Sequence, residues 1–253
     1  MSLFLKKPAC RDLGYVINVR TALKNSYSEE YNIYSPTRKD RFVDFTDFKI
    51  FFSEIESFFN VKLELTTIDK IEGFYDNLPI VYNVIQDQDD NITIGITPFG
   101  LSNLDVLFCE ILLYLIDHKI ISDGFIHFEE EFFNDYENSY RPFLVMASVF
   151  FGFGHLLLKR FWVSGIYKED TFSIEVLEYK YYIPLDVNIL IFAICYEIYC
   201  SGKSEKELLE ITSDFSREIK KEIIVCFSFL EKKGKSLIIE SVNPFYWKSA
   251  ENR

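Results

Sequence analysis

Apolar positions recur at two different periods along this chain. Between Thr46 and Asn60, Phe48, Phe51, Phe52, Ile55, Phe58 and Phe59 return every three or four residues. That is the spacing of one helix face, and it predicts a helix to about Asn60, capped by Thr46 or Asp47. The period then falls to two. Val61, Leu63 and Leu65 alternate with Lys62 and Glu64, and Ile92, Ile94 and Ile96 alternate with polar residues. Alternation of this kind marks half-buried strands, here over 61–67, 80–85 and 91–97. The polar run 86–91 reads as the hairpin turn between the last two. It is rich in carboxylates but lacks the Gly and the late Glu of an EF-hand loop, so it reads as a solvated turn. A short apolar run at Tyr15, Val16, Ile17 and Val19 reads as one more strand, and 26–40, polar and containing Pro36, as a loop.

From Asn103 onward the helical period takes over. Helices are predicted over 103–119, from Tyr140 or Pro142 to about Arg160, and from Pro184 to about Ser201 before Gly202. Ser204 caps a further helical stretch that continues, with interruptions, to Lys233 and ends at Gly234. Short strands are predicted around Gly165. The expected fold class is α+β, with a small N-terminal β-sheet and one helix over 1–100. A mainly α-helical bundle follows over 101–235 and an aperiodic tail over 236–253, the whole forming one compact unit.

Composition narrows the classes. Of 253 residues, 49% are hydrophobic and 17% aromatic, so a core is available and wholesale disorder is excluded. A net charge of −12 repels phosphate backbones, which excludes nucleic acid as a partner and favours a basic protein surface. The same charge also keeps an aromatic-rich protein in solution. The apolar run 142–158 is shorter than the roughly 20 residues a membrane span needs, and it carries His155. It reads as a core helix, with no membrane role, and no secretory signal is seen at the start, so a cytoplasmic location is expected. The five cysteines form no CxxC and read as reduced thiols.

The stretch 103–154 resembles a family of bacterial zinc-metallopeptidase-like proteins. In that family an HExxH helix follows a small sheet, and a second helix ends in Gly-Phe-Gly. Here the second helix reads Arg141 through Val145 and Val149 to Gly152-Phe153-Gly154. The resemblance covers roughly 95–205 and implies a zincin-like arrangement of the bundle. HExxH places two histidines on one helix face to bind zinc, with the Glu activating the metal-bound water. The matching positions here are Cys109, Glu110 and Leu113, and the family's acidic positions on the second helix are Arg141 and Val145. The resemblance therefore implies a degenerate site with no metal and no cofactor. Glu110 also lies seven residues from both Asn103 and Asp117, on one polar stripe, which solvent exposure would explain.

These observations lead to an expected non-catalytic, protein-binding pseudoenzyme, with a bacterial immunity protein that neutralises a toxin as the specific form. Phe125, Phe128, Glu129, Glu130, Glu131 and Tyr136, between the two helices, are the candidate partner-binding residues. There carboxylates would steer a basic partner and aromatics would anchor it. The competing reading is a hydrolase with a metal or nucleophile site around His127, Glu129 and His155.

Overall fold

The computed structural model describes residues 10–27, 44–68, 74–75, 78–88, 90–123, 140–168, 171–176, 179–182, 187–213 and 215–241. In chain order its elements begin with α1 (Cys10–Ser26), α2 (Phe45–Phe59), β1 (Lys62–Thr67), β2 (Phe74–Tyr75) and β3 (Leu78–Pro79). Then come β4 (Tyr82–Gln88), β5 (Asn91–Ile96), α3 (Pro98–Ser102), α4 (Leu104–Ser122), α5 (Arg141–Phe150) and α6 (Gly154–Ser164). The last are β6 (Gly165–Lys168), β7 (Thr171–Val176), β8 (Tyr179–Tyr182), α7 (Val187–Cys200), α8 (Glu205–Ile211) and α9 (Arg217–Ser241). The fold is mixed α+β and mostly helical. By internal contacts the chain falls into two groups. One holds Met1–Ile33, Arg141–Leu158 and Leu185–Arg253; the other holds Tyr34–Tyr140 and Lys159–Pro184.

In the second group, α2 buries Phe48, Phe51, Phe52, Ile55 and Phe59, the face its sequence period marks. Its cap is Asp44, two residues before the predicted Thr46. The N–H groups of Thr46 and Asp47 donate to Asp44 Oδ1 at 2.8 and 3.0 Å. A cap needs extended backbone ahead of the first turn, and Asp44 has it while Thr46 is already helical. The Phe51 and Phe52 rings pack on Phe108 of α4, with centroids 5.2 and 5.6 Å apart.

The three-stranded sheet has the order β1-β5-β4, with β5 parallel to β1 and antiparallel to β4. Central β5 buries Ile92, Ile94 and Ile96, as alternation predicts. Strand β4 is displaced from the predicted 80–85 and runs on to Gln88, so the connection to β5 is shorter than the polar run suggests. Asp90 has a left-handed φ of 62°, the conformation a tight hairpin turn needs. Short α3 went unpredicted, although Thr97 caps it and Pro98 opens it. Gly100 in α3 lies against the Val81 carbonyl; a Cβ there would sit 2.1 Å from that oxygen. Strands β6, β7 and β8 form an antiparallel meander near the predicted position.

In the first group, the predicted strand over Tyr15–Val19 is part of helix α1. Val16, Val19, Leu23 and Tyr27 are all buried, a three-then-four spacing. A four-residue apolar run is too short to separate the two periods, and the wider window decides for helix. The single helix predicted over 142–160 is two helices. Gly152, at φ 88°, ends α5. Phe153 N–H donates to the Ser148 carbonyl at 2.7 Å and Gly152 N–H to the Val149 carbonyl at 3.0 Å, the two bonds of a Schellman motif. The same pair of bonds closes α7 at Gly202, at φ 69°, where the sequence predicts its end. Ser204 caps α8 in a reciprocal box with Glu207. Helix α9 does not end at Gly234 and runs to Ser241. Among the described residues no single helix is long and apolar enough to cross a membrane. Arg141–Phe150 and Gly154–Arg160 reach that length only together, across a bend of 119°.

Candidate functional site

The residues marked by the degenerate HExxH pattern sit on α4. Ten α4 side chains are buried, among them Cys109, 1% exposed, and Leu113, 6% exposed. Glu110, Asn103 and Asp117 share one face, as their spacing predicts, but are half-buried rather than solvent-exposed. Arg141 is half-buried and Val145 buried, both on α5. Cys109, Glu110 and Leu113 belong to the second contact group, Arg141 and Val145 to the first. Phe125, His127, Phe128, Glu129, Glu130, Glu131 and Tyr136 lie outside the described residues.

A polar cluster that includes Asp117 of this stripe forms further along α4. Tyr114, Asp117 and His118 stand at positions three and four apart and so share a helix face. Tyr114 hydroxyl donates to Asp87 Oδ2 at 2.6 Å, and His118 Nδ1 lies 3.5 Å from Asp87 Oδ1. Tyr140 hydroxyl donates to Asp117 Oδ1. A slip in the sheet register brings Asp87 there. Val84 pairs with Ile94, but Gln86 pairs with Thr93 and Asp87 with Ile92, so Ile85 is the extra residue of a bulge. In a regular strand, Val84 and Asp87 would point to opposite faces; one extra residue puts them on the same one. Ile85 is left 53% exposed as a result. Apolar Val84 and Ile85 in succession were the only trace of this in the sequence.

Burial raises the Tyr114 hydroxyl well above its ordinary range, and the hydrogen bond to Asp87 adds to it. Burial also raises the Asp117 carboxyl, against the opposing pull of the Tyr140 hydroxyl and of His118. Asp87 therefore holds both a tyrosine and an imidazole, the arrangement that fixes a histidine's orientation. A general base would need a proton donor within reach of Nε2. Here Nε2 is sealed from solvent and has no hydrogen-bond partner among the described residues. This geometry ties the sheet edge to α4. No three His, Cys, Asp or Glu side chains among the described residues converge to hold a metal ion.

His155 is buried. With Val149, Ile194 and Glu197 it lines a small cleft of the first contact group. Its empty space, including the part open to solvent, is about 260 Å³. Glu197 is already engaged: Arg20 Nε and Nη2 donate to its two carboxylate oxygens at 2.7 and 3.1 Å. No family model, curated protein or solved structure matches this chain. Cys109, Cys195, Cys200 and Cys226 form no disulfide among the described residues. Burial pushes the Cys195 thiol well up, with Cys226 adding to the effect, so it is a poor nucleophile at neutral pH.

Proposed function

We propose that this chain is a non-catalytic protein-binding protein built on a degenerate metallopeptidase-like scaffold. One observation carries the reading. Cys109 and Leu113, which stand where the resemblance expects two zinc-binding histidines, fill the apolar core instead. A leucine offers no lone pair to a metal, and without a metal-bound water Glu110 has nothing to activate. The charge of −12 supports a basic protein as partner. Neutralisation of a basic toxin, the work of a bacterial immunity protein, is the specific form of the role that size and charge favour.

Two measurements test this reading. Elemental analysis of the purified protein should find zinc far below one ion per chain. Stoichiometric zinc that is lost in Cys109→Ala would overturn the claim. Glu129, Glu130 and Glu131, all changed to Lys, should leave the circular dichroism spectrum unchanged and abolish capture of the protein's partner from native cells. Retention of every partner at physiological salt would remove that segment as the binding surface.

A further inference from the structure

Helices α7 and α9 pack through one seam. Ile219, Ile223, Phe227 and Leu230 of α9 are buried, and the Tyr199 and Phe227 ring centroids are 6.3 Å apart. Cys195, one turn before Tyr199, is fully buried, and its Sγ lies 3.9 Å from the Ile223 carbonyl oxygen. One turn after Ile223 stands Cys226. At 100° per residue it falls about 60° from Ile223 and about 20° from Ile219, so it shares the buried side of α9. The two thiols meet there as a hydrogen-bonded pair. Their surroundings differ, because Cys195 is sealed while Cys226 is only half-buried and keeps an opening to solvent. Cys200, also on α7, is about 140° around that helix from Cys195 and lies beside Tyr196 and Arg20 instead. Helix α8 lies in the segment between Cys195 and Cys226.

We propose that Cys195 and Cys226 are a peroxide-responsive dithiol, which closes to a disulfide that ties α7 to α9 in the folded protein. The first step falls to Cys226, the thiol that a small oxidant reaches. Its thiolate sulfur attacks one oxygen of hydrogen peroxide, the O–O bond breaks, and the departing hydroxide takes up the thiol's proton and leaves as water. Cys226 is then a sulfenic acid. The Cys195 sulfur attacks the Cys226 sulfur, the S–O bond breaks, and that hydroxide leaves as water with the Cys195 proton. In sum the two thiols give up two electrons and two protons, and the peroxide accepts them to become two waters. Burial keeps the Cys195 thiol protonated, which makes it slow toward dissolved oxidants. Contact with the sulfenic sulfur offsets this, because a group already in place reacts as if at very high concentration. The pair needs only α7 and α9 and is independent of the partner-binding reading above.

Hydrogen peroxide in slight excess, added to the reduced full chain in native buffer, tests the pair. After the remaining thiols are alkylated, peptide mass spectrometry without reductant should find Cys195 joined to Cys226, two hydrogens lighter than the separate peptides. Dithiothreitol should reverse the link. The oxidised protein should melt at a higher temperature, because the bond constrains the unfolded chain. Cys195→Ala should stop at the sulfenic acid, so dimedone should label Cys226 roughly ten-fold more than in the parent protein, where Cys195 consumes it. Cys226→Ser should lose both the link and the peroxide-induced rise in melting temperature. Where a variant fails to fold, peptide mapping of the parent protein still decides. A parent protein in which the two thiols stay reduced, or link only after urea unfolds the chain, overturns the inference. So does a Cys226 that passes to sulfinic acid without joining Cys195, or one that links only to a second chain.

Discussion

An alanine at position 154 would place its methyl carbon 2.4 Å from Val149 Cγ2 and 3.0 Å from Val149 Cα. The backbone contact cannot relax by a rotamer change, so Gly154→Ala should cost roughly 1–3 kcal/mol of stability by overpacking. Combining it with Val149→Ala should cost less than the sum of the two, as a double-mutant cycle in urea would measure. Strict additivity would mean the two residues do not meet. Gly152 has a different constraint, a φ of 88° that costs a side chain about 1–2 kcal/mol. Close packing constrains Gly154 and backbone conformation constrains Gly152, where apolar residues on both sides hide the break in the sequence.

Asp117 gives a pH test at the same scale. Its folded pKa is raised by burial, so the folded protein holds that proton to higher pH than the unfolded chain does. The contribution of the group is therefore lost as pH rises from the unfolded value, about 3.9, through the folded one, and stays lost at neutrality. Asp117→Asn keeps an acceptor for Tyr140 and removes the buried charge. It should match or exceed the parent protein's denaturant midpoint at pH 7, with the difference shrinking toward pH 4. A clear loss of stability at pH 7 would show that the ionised form is a net stabiliser.

Among the elements, those with a long and clean period were legible. Helix α2, strands β1 and β5, the end of α7 and the Ser204 cap all appear where the pattern puts them. Elements decided by tertiary pairing were not. Nothing in Lys62–Thr67 announces that β1 pairs in parallel with β5, since alternation fixes a face and not a neighbour. The Asp87 cluster was hidden for the same reason, because its register depends on a one-residue bulge. At α2 the sequence reading placed the cap at Thr46 or Asp47, and backbone geometry chose Asp44. Asp44→Ala should therefore cost about 1 kcal/mol, while Thr46→Ala should change stability little. Equal losses in thermal melts of the two variants would return the cap to Thr46.

For the whole molecule, charge is the property most open to measurement. With a net charge of −12 and an isoelectric point near 4.8, the folded protein carries uncompensated self-repulsion at pH 8. Raising sodium chloride from low concentration should raise the melting temperature there, and the rise should fade as pH approaches 5. A salt response that ignores pH would point to ion binding or to hydrophobic effects instead.

The bend at Gly152 matters before the protein is folded at all. In the native state the turn folds 141–158 back on itself, and α1, α5 and α7 contribute buried side chains to the same contact group. During synthesis, 141–158 leaves the ribosome well ahead of 187–241. Until those later helices arrive, the nascent chain presents a nearly continuous oily stretch without most of its covering. Newly made chains in that condition are what cellular chaperones hold. A translation product halted before Val187 should therefore be retained by an Hsp70-type chaperone, and the completed chain released.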